Sequence, residues 1–453
     1  MNDPHAKPNK ADQNSQSRRD FLAATMAAAA ATTVLGSCSG SGSTSRVISG
    51  DINRSLPTSQ PRVPVGEGET IRMAIIGTGG MGSGHMGAIM GFAKRKEENV
   101  QIVALCDVNQ VRLAAAHARC EKEQGITVDT YGNYHDVLAR KDIHGVLVAS
   151  PEHWHAQMAV DALAAGKDLY LEKPMCLRLP EALWLRRMVL ANPQLIFQVG
   201  TQKMILPKWL KAREVIASGG IGKPTFSQTS YCRNSKDGEW LYYAIDPKVI
   251  PGKTLDWDGW LGHLGPRDWD PALYARWRRY KDFSTGIVGD LLVHEMTPLM
   301  MALDMGWPTR VSASGGHYVD KVMENHDQVN LTVEFEGEHT MIVAGSTCND
   351  IGLEVMVRGH EASIWMNSND VLIRPQRHWV DEIDEQTIQC GNIGNDQDQL
   401  RKNWLGCIRT RKPAVSGVDL ATKMMVAVDL ATRSMWEGHA FAFDPKTMTA
   451  SIA

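Results

Sequence analysis

Met73-Ala74-Ile75-Ile76-Gly77-Thr78-Gly79-Gly80-Met81-Gly82 decides the fold of this chain. Residues 72–76 alternate into an apolar run that stops at Gly77, as a buried parallel strand does. Gly77-x-Gly79-x-x-Gly82 then opens a helix predicted to reach about Lys94. In that pattern the first glycine permits a tight turn. The second lets the backbone approach a pyrophosphate, and the third lets the helix pack against the strand. Alone the pattern says little; between a strand and a helix it points to a dinucleotide.

Outward from that turn, strand and helix alternate. Residues 100–106 read as a second strand with Asp107 at its end. An acid there accepts ribose hydroxyls and repels a 2′-phosphate, so NAD is favoured over NADP; the competing role is a cap on the helix over 109–122. Residues 145–149 read as a third strand, followed by Ser150-Pro151-Glu152-His153-Trp154-His155. Residues 167–171 read as a fourth, running into Glu172-Lys173-Pro174, and 195–199 as a fifth. Helices are predicted over 156–165 and 180–191. This order predicts an α/β class with a doubly wound parallel sheet over 71–200. Ligands in such sheets lie at the carboxyl ends of the strands, where Ser150, His155, Glu172 and Lys173 fall.

Past Gly200 the texture changes, and 201–453 reads as a C-terminal α+β domain with a mostly antiparallel sheet. A helix is predicted over 207–218 and a strand over 224–232. Residues 237–281 form a long, aromatic-rich, irregular insertion of the kind that binds ligands. Residues 286–305 read as one apolar helix carrying Asp290 and His294, which four-residue spacing puts on one face. Residues 310–373 alternate as strands, and helices are expected over 396–409 and 420–435.

The amino-terminal stretch has a different character. Ser17-Arg18-Arg19-Asp20-Phe21-Leu22 is a twin-arginine pattern, followed by a short Ala/Thr-rich apolar run. Residues 1–38 therefore read as a twin-arginine signal peptide, and 39–70 as a flexible spacer. The expected location is periplasmic or otherwise exported, with the twin-arginine machinery as a partner. Leu35-Gly36-Ser37-Cys38 resembles a lipobox, which predicts a lipid anchor at Cys38; ordinary cleavage nearby is the alternative. The other seven cysteines include no Cys-x-x-Cys and read as free, mostly buried thiols. A net charge of -3 argues against nucleic acid as the main partner.

Taken together, Gly77-Thr78-Gly79-Gly80-Met81-Gly82, Asp107, Glu172-Lys173-Pro174 and Asp290-x-x-x-His294 resemble the Gfo/Idh/MocA oxidoreductase family. The resemblance runs from about Ile71 to the C-terminus and is closest before Gly222. It implies a nicotinamide cofactor in a Rossmann domain and a second domain whose sheet covers the active site and makes homo-oligomer contacts. It also implies that His294 is the general acid or base, that Lys173 polarises the reacting hydroxyl, and that Asp290 orients substrate or His294. His155 falls where the family contacts nicotinamide or substrate, though it can equally cap the helix that follows.

The chemistry agrees. Oxidising a carbinol removes a hydride from carbon and a proton from oxygen, and imidazole is a suitable proton acceptor. Gln202, Tyr231, Arg233, Trp257 and Arg276 are weaker candidates for sugar contacts. No metal is expected, because no third ligand spaced to join Asp290, His294 and Glu295 appears. The expected protein is an exported oxidoreductase of a sugar, cyclitol or related polyol. Free cofactor is scarce outside the cytoplasm, so NAD is expected to be held tightly. Two alternatives stay open: an NAD-dependent glycoside hydrolase with transient oxidation, and a non-catalytic sugar-binding protein of the same fold.

Overall fold

The computed structural model describes residues 65–453, together with Leu56, Thr58 and Ser59. The twin-arginine pair, Cys38 and most of the spacer lie outside the described residues.

Six parallel strands form the first sheet: β1 (Ile71–Ile76), β2 (Val100–Cys106), β3 (Asp129–Tyr131), β4 (Gly145–Val148), β5 (Asp168–Leu171) and β6 (Phe197–Val199). Their spatial order is β3-β2-β1-β4-β5-β6, so the direction of winding reverses between β1 and β4. Five helices connect them: α1 (Gly80–Lys94), α2 (Gln110–Gln124), α3 (Tyr134–Ala139), α4 (Glu152–Ala164) and α5 (Leu179–Ala191). The sequence predicts five strands, and the structure adds β3. That strand has three residues, two of them exposed, so no apolar run announces it. The strand ahead of Ser150 is therefore the fourth, and the one ahead of Glu172 the fifth.

The second sheet has 11 strands. Pro224–Asn234 lies near its centre, parallel to His339–Ser346 and antiparallel to Met356–Gly359. Among the described residues the other neighbours in this sheet are antiparallel. Along His339–Ser346, Met341 and Val343 are buried while Ile342 is exposed, the period of a sheet covered on one face. The covering layer includes Met296, Leu299 and Met300 from helix Val293–Leu303, and Val426 and Leu430 from helix Val418–Glu437.

Two features cross between these parts. Helix Asp396–Thr410 returns to the first sheet, where Leu400, Trp404 and Ile408 share a core with Met73, Ile75, Leu147 and Tyr170. Glycine is needed at Gly145 to receive it: a Cβ there would lie 3.0 Å from the Trp404 ring. The aromatic insertion builds its own core from Trp257, Trp260, Leu273, Tyr274 and Phe283. It docks on the start of α4, where His153 Nε2 and Trp154 Nε1 both meet the Trp260 carbonyl.

The predicted helix over 286–305 is not uniform. It begins as a π-helical turn, Val288–Leu292, and continues as the α-helix Val293–Leu303. Such widened turns recur at functional sites. Seven described cysteines are free thiols, and Cys106, Cys120, Cys176 and Cys407 among them are buried. Among the described residues, no helix is long and apolar enough to cross a membrane.

Candidate active site

A cavity of about 1020 Å³ lies at the carboxyl ends of β1, β2, β4 and β5. Gly77, Gly79, Gly80, Met81, Asp107, Ser150, His155, Glu172, Lys173, Asp290 and His294 all border it. The strand ends and the π turn thus bring the principal predicted residues to one place.

Lys173 leaves the end of β5 and is held at its tip. Its Nζ donates to the Asp290 carbonyl at 2.7 Å and to Asp290 Oδ1 at 2.9 Å. The same Oδ1 accepts Arg278 Nε at 2.9 Å. Burial alone would raise the Asp290 carboxyl, but Lys173 and Arg278 outweigh it and hold it well below the usual carboxylate range. The resemblance implies that Asp290 orients substrate or His294. In the structure its Oδ1 accepts from two cations, Lys173 and Arg278.

His294 is half-buried, and its Nδ1 is buried without a hydrogen-bond partner among the described residues. Burial, followed by the nearby Lys173 charge, pulls the imidazole down to about 3. It is therefore neutral at neutral pH and can accept a proton.

Glu172 is buried, and its Oε1 meets His85 Nε2 at 2.8 Å. Burial pushes this carboxyl up, but the His85 hydrogen bond and the Lys173 charge help bring it below the ordinary range. It borders the cavity as a brace for Lys173, whose backbone N–H reaches Glu172 Oε2 at 3.3 Å. His155 lies inside α4 and is no cap. Its Nδ1 meets the Pro174 carbonyl at 2.6 Å and its Nε2 the Ser150 carbonyl at 2.9 Å, so both nitrogens serve the loops around the site.

Asp107 also has a different local task from capping α2, which Asn109 performs. Asp107 Oδ2 accepts the Thr78 N–H at 2.7 Å and the Thr78 hydroxyl at 2.9 Å, while Oδ1 accepts the Asn109 N–H at 2.8 Å. Of roughly four acceptor positions on a carboxylate, one remains for a ribose hydroxyl.

Gln202, Tyr231 and Arg233 border the cavity. Trp257 and Arg276 do not. Trp257 stacks on Trp260 at 5.0 Å and donates to the Arg267 carbonyl, a core position in the insertion. Arg276 donates to the Tyr243 carbonyl. The cation that reaches the site is Arg278, two residues on, lying over the Trp277 ring at 4.2 Å. No sequence signal separates these two arginines. The sequence likewise does not single out Gln397 and Lys203, which line the cavity, the latter paired with Glu295.

The comparisons with known proteins fit this geometry. Residues 71–200 match the NAD-binding Rossmann fold of the Gfo/Idh/MocA oxidoreductase family, and residues 266–443 match its C-terminal alpha/beta domain, together about two thirds of the chain. The chain belongs to the Gfo/Idh/MocA family. Among curated relatives, inositol 2-dehydrogenase from Burkholderia ambifaria is 30% identical over 176 residues, 38% of this chain and 48% of that protein. An inositol 2-dehydrogenase/D-chiro-inositol 3-dehydrogenase from Lactiplantibacillus plantarum is 24% identical over 197 residues, 43% of this chain and 53% of that protein. The chain thus spans about half the length of these curated relatives. Two solved structures share the fold. An NAD binding oxidoreductase from Klebsiella pneumoniae has a TM-score of 0.61 at 20% identity, covering 82% of this chain and 98% of its own. A levoglucosan dehydrogenase in complex with NADH and levoglucosan has a TM-score of 0.63 at 17% identity, covering 82% and 99%.

The Gfo/Idh/MocA glycine turn in this chain fits a dinucleotide. Gly77 has φ +89°, and a Cβ on it would lie 2.6 Å from the Ala149 carbonyl oxygen. A Cβ on Gly82 would lie 1.8 Å from the Gly77 oxygen, which is the close packing the third glycine serves. Gly80 has nothing within 4 Å of such a Cβ, and Gly79 meets only the tip of Arg112. No side chain caps α1, so its leading amides are available to an anion.

Proposed function

We propose that this protein oxidises or reduces a carbinol of a sugar, cyclitol or related polyol with NAD held tightly in the cavity. The observation that carries the reading is the double hold of Asp290 on Lys173, with His294 bordering the same cavity as the glycine turn. The activities named for the relatives, on inositols and levoglucosan, point to the same substrate class.

When bound, the nicotinamide ring exchanges a hydride with the carbinol carbon. The chain's own residues handle the oxygen and its proton. Two Nζ hydrogens of Lys173 are directed to Asp290, which leaves one for the substrate oxygen. As alkoxide character grows, the ammonium stabilises it in a partly enclosed site. The neutral His294 imidazole accepts the hydroxyl proton. Lys173 disfavours the resulting imidazolium, so the proton is passed on readily. Asp290 and Arg278 keep the ammonium from swinging out of line. Gln202, Tyr231 and Arg233 are the proposed contacts for the remaining hydroxyls.

Export belongs to the same reading. The Arg18-Arg19 pair and the apolar run after it support passage through the twin-arginine route, with residues 1–38 as the signal peptide and Cys38 as a lipid attachment point. We expect a homo-oligomer assembled through the large C-terminal sheet.

The test is direct. The purified protein is denatured and the released nucleotide identified; the intact protein is then mixed with a panel of inositols, aldoses and glycosides. Reduction of bound nucleotide, seen as reduced-nicotinamide absorbance, with ketone as the net product is expected. Aglycone release without net ketone would instead make it a hydrolase. Retention of Arg18→Lys/Arg19→Lys precursor in the cytoplasm tests export, and normal export of that variant would overturn it.

A further inference from the structure

Beneath Lys173 lies a buried polar chain drawn from three distant parts of the sequence. Arg401 Nε donates to His85 Nδ1 at 2.8 Å, and His85 Nε2 meets Glu172 Oε1 at 2.8 Å. Exposure is 4% at Arg401, 1% at His85 and 6% at Glu172. Arg401 sits on helix Asp396–Thr410, His85 on α1, and Glu172 at the end of β5. Arg401 is itself steadied by Asp398 at 2.7 Å and by the Gln397 side-chain oxygen at 3.0 Å, and Gln397 borders the cavity.

The chemistry of the donors settles the protons. A guanidinium can only donate. His85 Nδ1 must therefore accept, and the ring proton must lie on Nε2. That proton is donated to Glu172, so His85 is neutral and Glu172 is the accepting anion. There is little room for Glu172 to move: a Cβ on the neighbouring Gly200 would already lie 2.7 Å from its Oε1. Tyr170 packs edge-on to the His85 ring at 5.3 Å.

We propose that His85 and Arg401 are positioning residues that hold the Glu172 carboxylate against the Lys173 backbone N–H, and so fix the place from which Lys173 reaches the reacting end of the cavity. The proposal rests on the reading of Lys173 given above. Glu172 faces His85, Lys173, His155, His294 and Tyr170. Lys173 faces Asp290 directly, Arg278 through Asp290, and His294 and His155 across the site. Asp290 holds the tip of Lys173, and Glu172 Oε2 accepts its backbone N–H at 3.3 Å. If the His85 bond is removed, Glu172 Oε1 loses its donor and the carboxylate is no longer held against that N–H.

The experiment compares wild type with His85→Leu and His85→Gln. Glutamine restores one acceptor for Arg401 and one donor for Glu172; leucine restores neither. Amide hydrogen exchange of the peptide carrying Lys173, followed by mass spectrometry, reads the Lys173 N–H that Glu172 accepts, without needing any substrate. His85→Leu is expected to speed that exchange about tenfold or more, with His85→Gln close to wild type. kcat on the best polyol is expected to fall in parallel, with nucleotide affinity unchanged. Equal exchange in all three proteins would overturn the proposal, as would a glutamine variant that exchanges as fast as leucine. If His85→Leu does not fold, Arg401→Met is the second variant. It removes the donor that fixes the His85 ring, and an unchanged Lys173 amide there overturns the idea. A wild type whose Lys173 amide is protected but which reduces nucleotide with no polyol would count against the functional reading and leave the brace standing.

Discussion

Lys173 and Asp290 are joined twice: Nζ donates to the Asp290 carbonyl at 2.7 Å and to its Oδ1 at 2.9 Å. One bond needs only the backbone of the π turn; the other needs the carboxylate. The backbone bond places the lysine, and the carboxylate balances its charge and that of Arg278.

Asp290→Asn separates these two contributions. The carbonyl bond survives, but Lys173 and Arg278 then face each other without their shared carboxylate in a buried site. Loss of one partner from a buried ion pair costs about 3–5 kcal/mol, and urea unfolding should show a loss of that order. Asp290 is held below its unfolded value, so its contribution is present above about pH 4. It fades as pH falls toward the folded value. The gap between wild type and variant should therefore narrow only in acid.

Lys173→Ala and His294→Ala should each lower turnover by about 10²–10⁴-fold, while nucleotide remains bound. These groups are proposed to meet the substrate hydroxyl, whereas the glycine turn and Asp107 are proposed to hold the dinucleotide. The double variant should be little worse than the worse single one, because the two act as a unit. Single-turnover absorbance of the reduced nicotinamide measures this. A His294→Ala protein with the wild-type rate removes the proposed base.

Gly79→Ala and Gly82→Ala should part company. A methyl on Gly79 meets only the flexible Arg112 tip at 3.4 Å, so the variant should fold normally and bind nucleotide more weakly. A methyl on Gly82 strikes the Gly77 oxygen. That variant should lose both thermal stability and nucleotide. Fluorescence titration with NADH beside a melting curve distinguishes the outcomes. Normal melting of Gly82→Ala would contradict the packing described.

Glu152 offers a pH test. It is buried at the start of α4, accepting the Ser284 hydroxyl at 2.7 Å and the Thr285 N–H at 3.2 Å. Burial, then the Asp290 charge, pushes it up to about 7. An acid raised on folding favours the protonated native state. Its contribution is complete below the unfolded value and is lost as pH rises through about 7. The loss is on the order of 3 kcal/mol. Glu152→Gln keeps an acceptor for the Thr285 N–H, presents its NH2 to the Ser284 hydroxyl oxygen, and removes the titration. Its stability should overtake wild type between about pH 5 and 8, measured by denaturant midpoints; parallel curves would show that Glu152 does not titrate there.

Local pattern carried the first sheet because each signal was complete within a few residues. The run before Gly77, the three glycines and the acid after β2 are readable without knowing where the chain goes next. The same holds for Lys173, which follows directly from the end of β5. β3 escaped because a three-residue edge strand with two exposed positions has neither an apolar run nor alternation. Trp257 and Arg276 stand out in the sequence only as an aromatic and a cationic residue in a binding-type insertion. Composition cannot tell a tryptophan that fills the insertion's core from one that faces the cavity, nor Arg276 from Arg278.

What the sequence by itself determined is therefore the strand–turn–helix frame, and it singled out the glycine turn, Lys173, Asp290 and His294, which the structure brings to one cavity. Tertiary structure alone decided which partner each of these meets. Asp290 turned out to hold Lys173, 117 positions away, because a π turn presents both its carbonyl and its carboxylate. Arg401 reaches His85 across 316 positions because the late helix returns to the first sheet behind Trp404. Hydrogen bonds act over about 3 Å in space, and no spacing along a chain encodes a contact that depends on where two distant elements are packed.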